Sequence, residues 1–144
     1  MGTNLHNFEM ETLPTPPAPE ITFDDDGYPT EATLQAIRDW EGVNTRDLLE
    51  AVMGAWYWDD MAKETAPGLF VFATGGWSGN ESLVDTLMRN PFVMGFTSNI
   101  SIPGGLHIFA IAREFKGNIR ALYDLIRDWA WAGGQHAALK ESSD

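Results

Sequence analysis

Cysteine is absent from this chain of 144 residues, which removes disulfides, thiolate nucleophiles and Cys-ligated zinc together. Basic side chains are scarce. Only 9 Lys and Arg stand against 21 Asp and Glu, a formal charge of -12, and no base precedes Arg38. Phosphate contacts need clustered Lys and Arg, so direct binding to nucleic acid or to an anionic membrane is not expected. No apolar run approaches the ~20 residues that span a bilayer. The first residues also lack the basic start and apolar stretch of a signal peptide. Met1-Gly2 opens like a myristoylation site, but His6 stands where Ser or Thr belongs. A soluble cytoplasmic protein is the expectation. Three separated His residues without an H-E-x-x-H run leave no zinc signature, and no Lys follows the glycine-rich loop as in a P-loop. Neither a metal nor a cofactor is expected.

What the chain does contain suits one packed core. Hydrophobic residues make up 44% and aromatics 12%, with six Trp and eight Phe. Charge is unevenly placed: residues 1–64 hold 14 acids and 3 bases, a net of -11, whereas residues 65–144 hold 7 and 6, a net of -1. One half carries nearly all of the field. Residues 1–27 read as a flexible, acidic, Pro-rich tail, because Pro14, Pro16, Pro17 and Pro19 force extended backbone and remove donors. Asp24-Asp25-Asp26-Gly27 marks a turn at its end. Residues 28–135 are expected to form a single domain and 136–144 a frayed C-terminus.

A first helix is expected from Thr30 to about Trp40, with Thr30 as N-cap and Leu34, Ile37 and Trp40 on one stripe. Asn44 or Thr45 caps a second, in which Leu48, Leu49, Val52, Met53 and Trp56 repeat at helical spacing until about Thr65, before Pro67-Gly68. Leu69 to Thr74 is apolar on both faces, the pattern of a covered central strand. A helix over 80–90 stops at Pro91. Phe92 to Thr97 and Leu106 to Ala112 read as strands joined around Pro103-Gly104-Gly105, where Pro followed by Gly is type II turn chemistry. The last helix, Asn118 to Ala132, carries Ile119, Leu122, Tyr123, Ile126 and Trp129 on one face. This order predicts an α+β fold: a small three-stranded sheet packed by about four helices.

The most distinctive run is Thr74-Gly75-Gly76-Trp77-Ser78-Gly79-Asn80-Glu81, which leaves a strand and enters a helix. Its glycines permit positive φ or close approach. Free amides at the helix start and the Trp77 ring make Gly75 to Glu81 a ligand candidate. Ser78 and Glu81 also have the spacing of a capping box, which would make the loop structural. Together with Tyr28-Pro29-Thr30-Glu31, Trp40 and Gly104-Gly105, the run resembles a family of small uncharacterised proteins from bacteria and their phages, over most of residues 28–112. Relatives in that family carry further Trp after the loop helix and basic residues before the second Gly-Gly. Here those stretches read Phe92-Val93-Met94-Gly95-Phe96 and Asn99-Ile100-Ser101-Ile102-Pro103. The resemblance implies a phage or prophage origin and a location in the bacterial host cytoplasm, and it implies no activity.

No catalytic constellation stands out. Gly76-Trp77-Ser78 sits like a nucleophile elbow, but the second Gly falls one residue early, and the only bases would be His107 or His136. Asp24-Asp25-Asp26-Gly27 departs from EF-hand spacing. Asp59 and Asp60 with Glu64 at (i, i+4) read as a carboxylate patch on one helix end. Trp56 and Trp58, and likewise Trp129 and Trp131, are two apart on expected helices and cannot share a face; Trp58 and Trp131 are taken as the outward members of an interaction surface. The leading expectation is a non-enzymatic accessory protein that binds a partner protein with a basic surface. Its contact carboxylates would be Asp24, Asp25, Asp26, Glu31, Asp39, Glu41, Asp59 and Asp60. An anti-defence inhibitor that mimics nucleic acid is one form of this. The alternatives are a small-ligand protein or enzyme built on the glycine loop, and a virion or assembly component.

Overall fold

In the computed structural model, which describes residues 13–131, the Thr30 side-chain oxygen accepts from Thr33 N at 3.2 Å and opens α1 (Glu31–Asp39). Next come α2 (Thr45–Gly54), a 3-10 turn (Asp59–Met61), β1 (Ala62–Ala66), β2 (Leu69–Ala73), α3 (Ser78–Met88) and α4 (Pro91–Phe96). The chain continues through β3 (Thr97–Ile102), β4 (Leu106–Ile111), α5 (Ala112–Phe115) and α6 (Ile119–Trp131). The fold is α+β. Its sheet has four strands in the order β1-β2-β4-β3, and every neighbouring pair is antiparallel. Three strands and about four helices were expected; four strands and six α-helices are present among the described residues. No described helix is long and apolar enough to cross a membrane.

β2 is central, and all five of its residues are buried. Alternation splits it between two layers. Phe70 and Phe72 share a face with Phe109, the register partner of Phe70. Phe72 also meets the Trp56 and Phe109 rings at centroid distances of 5.1 and 5.7 Å. On α6 the buried stripe is Ala121, Leu125 and Trp129, whereas Ile119 and Tyr123 are exposed. The expected face is therefore rotated by part of a turn. Trp129 Nε1 donates to the Pro103 carbonyl at 3.1 Å and pins the helix to the β3–β4 hairpin. Gly104 there has φ +99°, as the turn chemistry requires.

The missing strand lies where the second helix was expected to continue. α2 ends at Gly54, and Trp56, which matched the helical spacing, is buried from the loop beyond it. Pro67-Gly68 does not end a helix. It is the two-residue turn between β1 and β2, with Ala66 paired to Leu69 and Gly68 at φ +75°. Residues 92–96, expected as a strand, form α4. Pro91 takes the first helical position, where its missing N–H costs nothing. Asn90 caps it: Oδ1 accepts from Phe92 N and Val93 N, while Nδ2 donates to the Ile37 and Trp40 carbonyls at the end of α1. One fully buried side chain thus closes one helix and opens another.

Of the expected tail, residues 1–12 lie outside the described residues, as do 132–144. From Leu13 onward the chain is tied to the domain. Proline carbonyls remain acceptors, and Pro14, Pro16 and Pro17 take bonds from Val43 N, Asn44 Nδ2 and Trp40 Nε1. Thr22 N donates to Thr33 Oγ1, and Phe23 forms a bridge with Pro29.

Candidate functional site

The glycine-rich run leaves β2 at Ala73 and turns at once. Thr74 N donates to the Gly105 carbonyl at 2.9 Å, and Trp77 N returns to the Thr74 carbonyl at 3.1 Å. Gly75 and Gly76 have φ of +62° and +77°, positions that L side chains rarely hold. A Cβ on Gly75 would stand 2.5 Å from the Trp58 ring, and one on Gly79 would stand 2.5 Å from the Trp77 indole nitrogen. These two glycines make room for indoles. The capping box expected of Ser78 and Glu81 does not form: α3 starts at Ser78, Trp77 is its cap residue, and no side chain bonds that cap.

Asn80 takes a different role. It is 1% exposed, its Oδ1 accepts from Tyr57 N at 3.0 Å, and its Nδ2 donates to the Tyr57 and Thr74 carbonyls. The segment after α2 is thereby fastened to the glycine loop, with Trp58 held at φ +66° in the left-handed region. Four rings then run in series. Tyr28 stacks on Trp77 at 4.8 Å, Trp77 meets Tyr57 at 5.2 Å, and Tyr57 meets Trp58 edge-on at 4.7 Å. Tyr28, Tyr57 and Trp58 are exposed, at 38%, 52% and 46%.

Carboxylates flank this series at both ends. Asp24 Oδ1 accepts from the Asp26 and Tyr28 amides, so the Asp24–Asp26 turn is bonded directly to the first ring's residue. Asp59 and Asp60 follow Trp58 and sit in the 3-10 turn, not on a helix with Glu64 as expected. Asp24, Asp25, Asp26, Glu41, Asp59 and Asp60 are exposed and make no ion pair among the described residues. Glu31 lies 3.9 Å from Arg38, and Asp39 accepts from Gln35. Asp39 closes α1 and Glu41 follows it, roughly 12 Å along the axis from Glu31 at the standard helical rise. The eight expected contact carboxylates thus divide, with Asp39 and Glu41 set apart. Trp131 is 86% exposed on α6 and joins none of these ring contacts.

At the other end of β2, acids are gathered instead of displayed. Arg46 bonds Glu50 at 2.9 Å, Glu64 at 2.5 Å and Glu114, and its guanidinium lies 5.1 Å from the Phe70 ring centre. The carboxylates hold Arg46 well above its ordinary range. Arg46, with help from the Gly68 amide, holds Glu64 below the usual glutamate range against the opposing effect of burial. Sequence reasoning missed this cluster because Glu64 was placed on a helix.

His107 Nδ1 lies 2.9 Å from Ser101 Oγ, its cross-strand partner, and among the described residues no hydrogen bond joins it to Ser78. Burial lowers the His107 pKa, and the Glu81 charge opposes that. His136 lies outside the described residues. No protein-family model, curated protein or solved structure matches this chain.

Proposed function

We propose that this protein is an acidic accessory module, of phage or prophage type, that binds a basic surface on a partner protein in the bacterial host cytoplasm. The observation that carries the reading is the convergence at Trp77: two acidic turns, Asp24–Asp26 and Asp59–Asp60, meet the ends of one exposed series of rings. Exposed aromatic area supplies binding energy, and unpaired carboxylates supply steering and selectivity for a positive partner. The glycines favour this over a small-ligand loop, since the space at Gly75 and Gly79 is taken by Trp58 and Trp77. Occupation of a nucleic-acid-binding groove, with competitive inhibition, is the form of action that suits such a surface.

The test is affinity capture from host lysate at low and raised salt, with a variant carrying Asn at residues 25, 26, 59 and 60 run beside the native protein. The expected partner is held at low salt, released as salt rises, and missing from the variant. A partner retained equally by the variant, or released by neither change, overturns the reading.

A further inference from the structure

We infer that the Trp77 corner reads arginine: a guanidinium from a basic protein segment stacks on the open ring faces while the two acidic turns take its charge. This inference rests on the basic-partner reading and specifies the side chain recognised. Three features support it. First, three of the four aromatic residues in the series, Tyr28, Tyr57 and Trp58, leave more than a third of their surface exposed, side by side. Second, the exposure is built in. Trp58 is held in a backbone region costly for a bulky residue, beside Gly75, where a Cβ would meet its ring, and directly after Tyr57, whose backbone N–H and carbonyl are bonded by buried Asn80. Third, the surroundings select the occupant by charge. Asp59, Asp60 and the Asp24–Asp26 turn make no ion pair among the described residues, so an apolar segment would offer their charge nothing and a nucleotide would bring like charge against them.

Among cations, guanidinium fits better than ammonium. It is planar, weakly hydrated and able to stack on an aromatic face while its edge N–H groups reach carboxylates. Lysine would gain the charge attraction alone. Arginine preference therefore depends on the rings, and overall affinity depends on the acids.

The experiment titrates the whole chain with nona-arginine and with nona-lysine, following tryptophan fluorescence at about 0.15 M salt and again at higher salt. The arginine peptide is expected to bind about threefold to tenfold more tightly, with the preference persisting as salt weakens both. Tyr57→Leu and Tyr28→Leu should each bring that ratio close to one. Asp59→Asn with Asp60→Asn should weaken both peptides in proportion and leave the ratio intact. The Asn80 bonds to Tyr57 reach its backbone and not its side chain, so the ring can be removed without losing that anchor; thermal melts of both Tyr variants check that they fold. Equal, salt-sensitive binding of the two peptides sinks the arginine inference and leaves the acidic module standing. A preference unchanged in both folded Tyr variants also sinks it. Binding of neither peptide overturns both readings.

Discussion

The two ends of β2 treat negative charge in opposite ways. At the Leu69 end, Glu50, Glu64 and Glu114 converge on Arg46, which also lies over Phe70. At the Ala73 end, Asp59, Asp60 and the Asp24–Asp26 turn flank rings that face water, and no described base pairs with them. A formal charge of -12 thus conceals two uses of carboxylates. Those around Arg46 join α2, β1 and α5. Those around Trp77 make no ion pair among the described residues. Net charge alone does not distinguish the cases; the position of one arginine does.

The harshest way to break the contrast is to release the ring corner from the sheet. Asn80→Leu removes the partner of three buried or half-buried backbone groups and should cost about 3 kcal/mol in urea denaturation. Tyr57 and Trp58 should gain mobility with it, seen as a loss of tryptophan anisotropy. A cost below about 1 kcal/mol would mean that the ring series stands without its anchor.

Arg46→Met attacks the other end. Three carboxylates would then crowd a site that is only partly open to water, and breaking such a cluster should cost about 2 kcal/mol at neutral pH after discounting for that exposure. The penalty should shrink in acid, where the acids become neutral. Glu64→Gln sharpens the same point with a smaller effect. Because the folded pKa of Glu64 lies below its ordinary value, the stability it contributes is present above about pH 4.5 and lost as pH falls through the folded value. The variant should be less stable than the native protein at neutral pH, and the two stability curves should approach one another in acid. Parallel curves across that range would remove Glu64 from the account.

Much of the scaffold was legible in the residues, while the ring corner at Trp77 was only half so. β2 reads clearly because both of its faces are apolar, and α1 because Thr30 is a capping residue ahead of a periodic stripe. β1 did not read as a strand: Lys63 and Glu64 are half-buried on an edge, and Pro67-Gly68 serves equally as a helix stop or a hairpin turn. α4 was expected as a strand because Pro91 was read only as a helix stop, whereas it takes the first helical position after the Asn90 cap, with Val93 buried. Trp58 was correctly placed outside, but its cause is a left-handed loop residue and not a helix face. The glycine loop was visible as unusual. That Gly75 lies under the Trp58 indole, and that Tyr28 and Tyr57 complete the series, depends on segments about 20 to 50 residues apart meeting, which no local pattern encodes.

The smallest expected stability effect carries the contrast furthest. Asp25→Asn, Asp26→Asn, Asp59→Asn and Asp60→Asn combined should shift unfolding free energy by no more than about 0.5 kcal/mol each, because these side chains are exposed and make no ion pair among the described residues. Relief of mutual repulsion makes a small gain the expected sign. Asp24 is left out on purpose, since its Oδ1 accepts two backbone amides and its loss would disturb Tyr28. The same combined variant should bind nona-arginine about tenfold more weakly, a loss that raised salt reproduces in the native protein. Carboxylates that matter for binding and not for folding would separate this end of β2 from the Arg46 end by measurement. A large stability loss would instead mean that the acidic turns are part of the scaffold, and the two ends would then differ only in exposure.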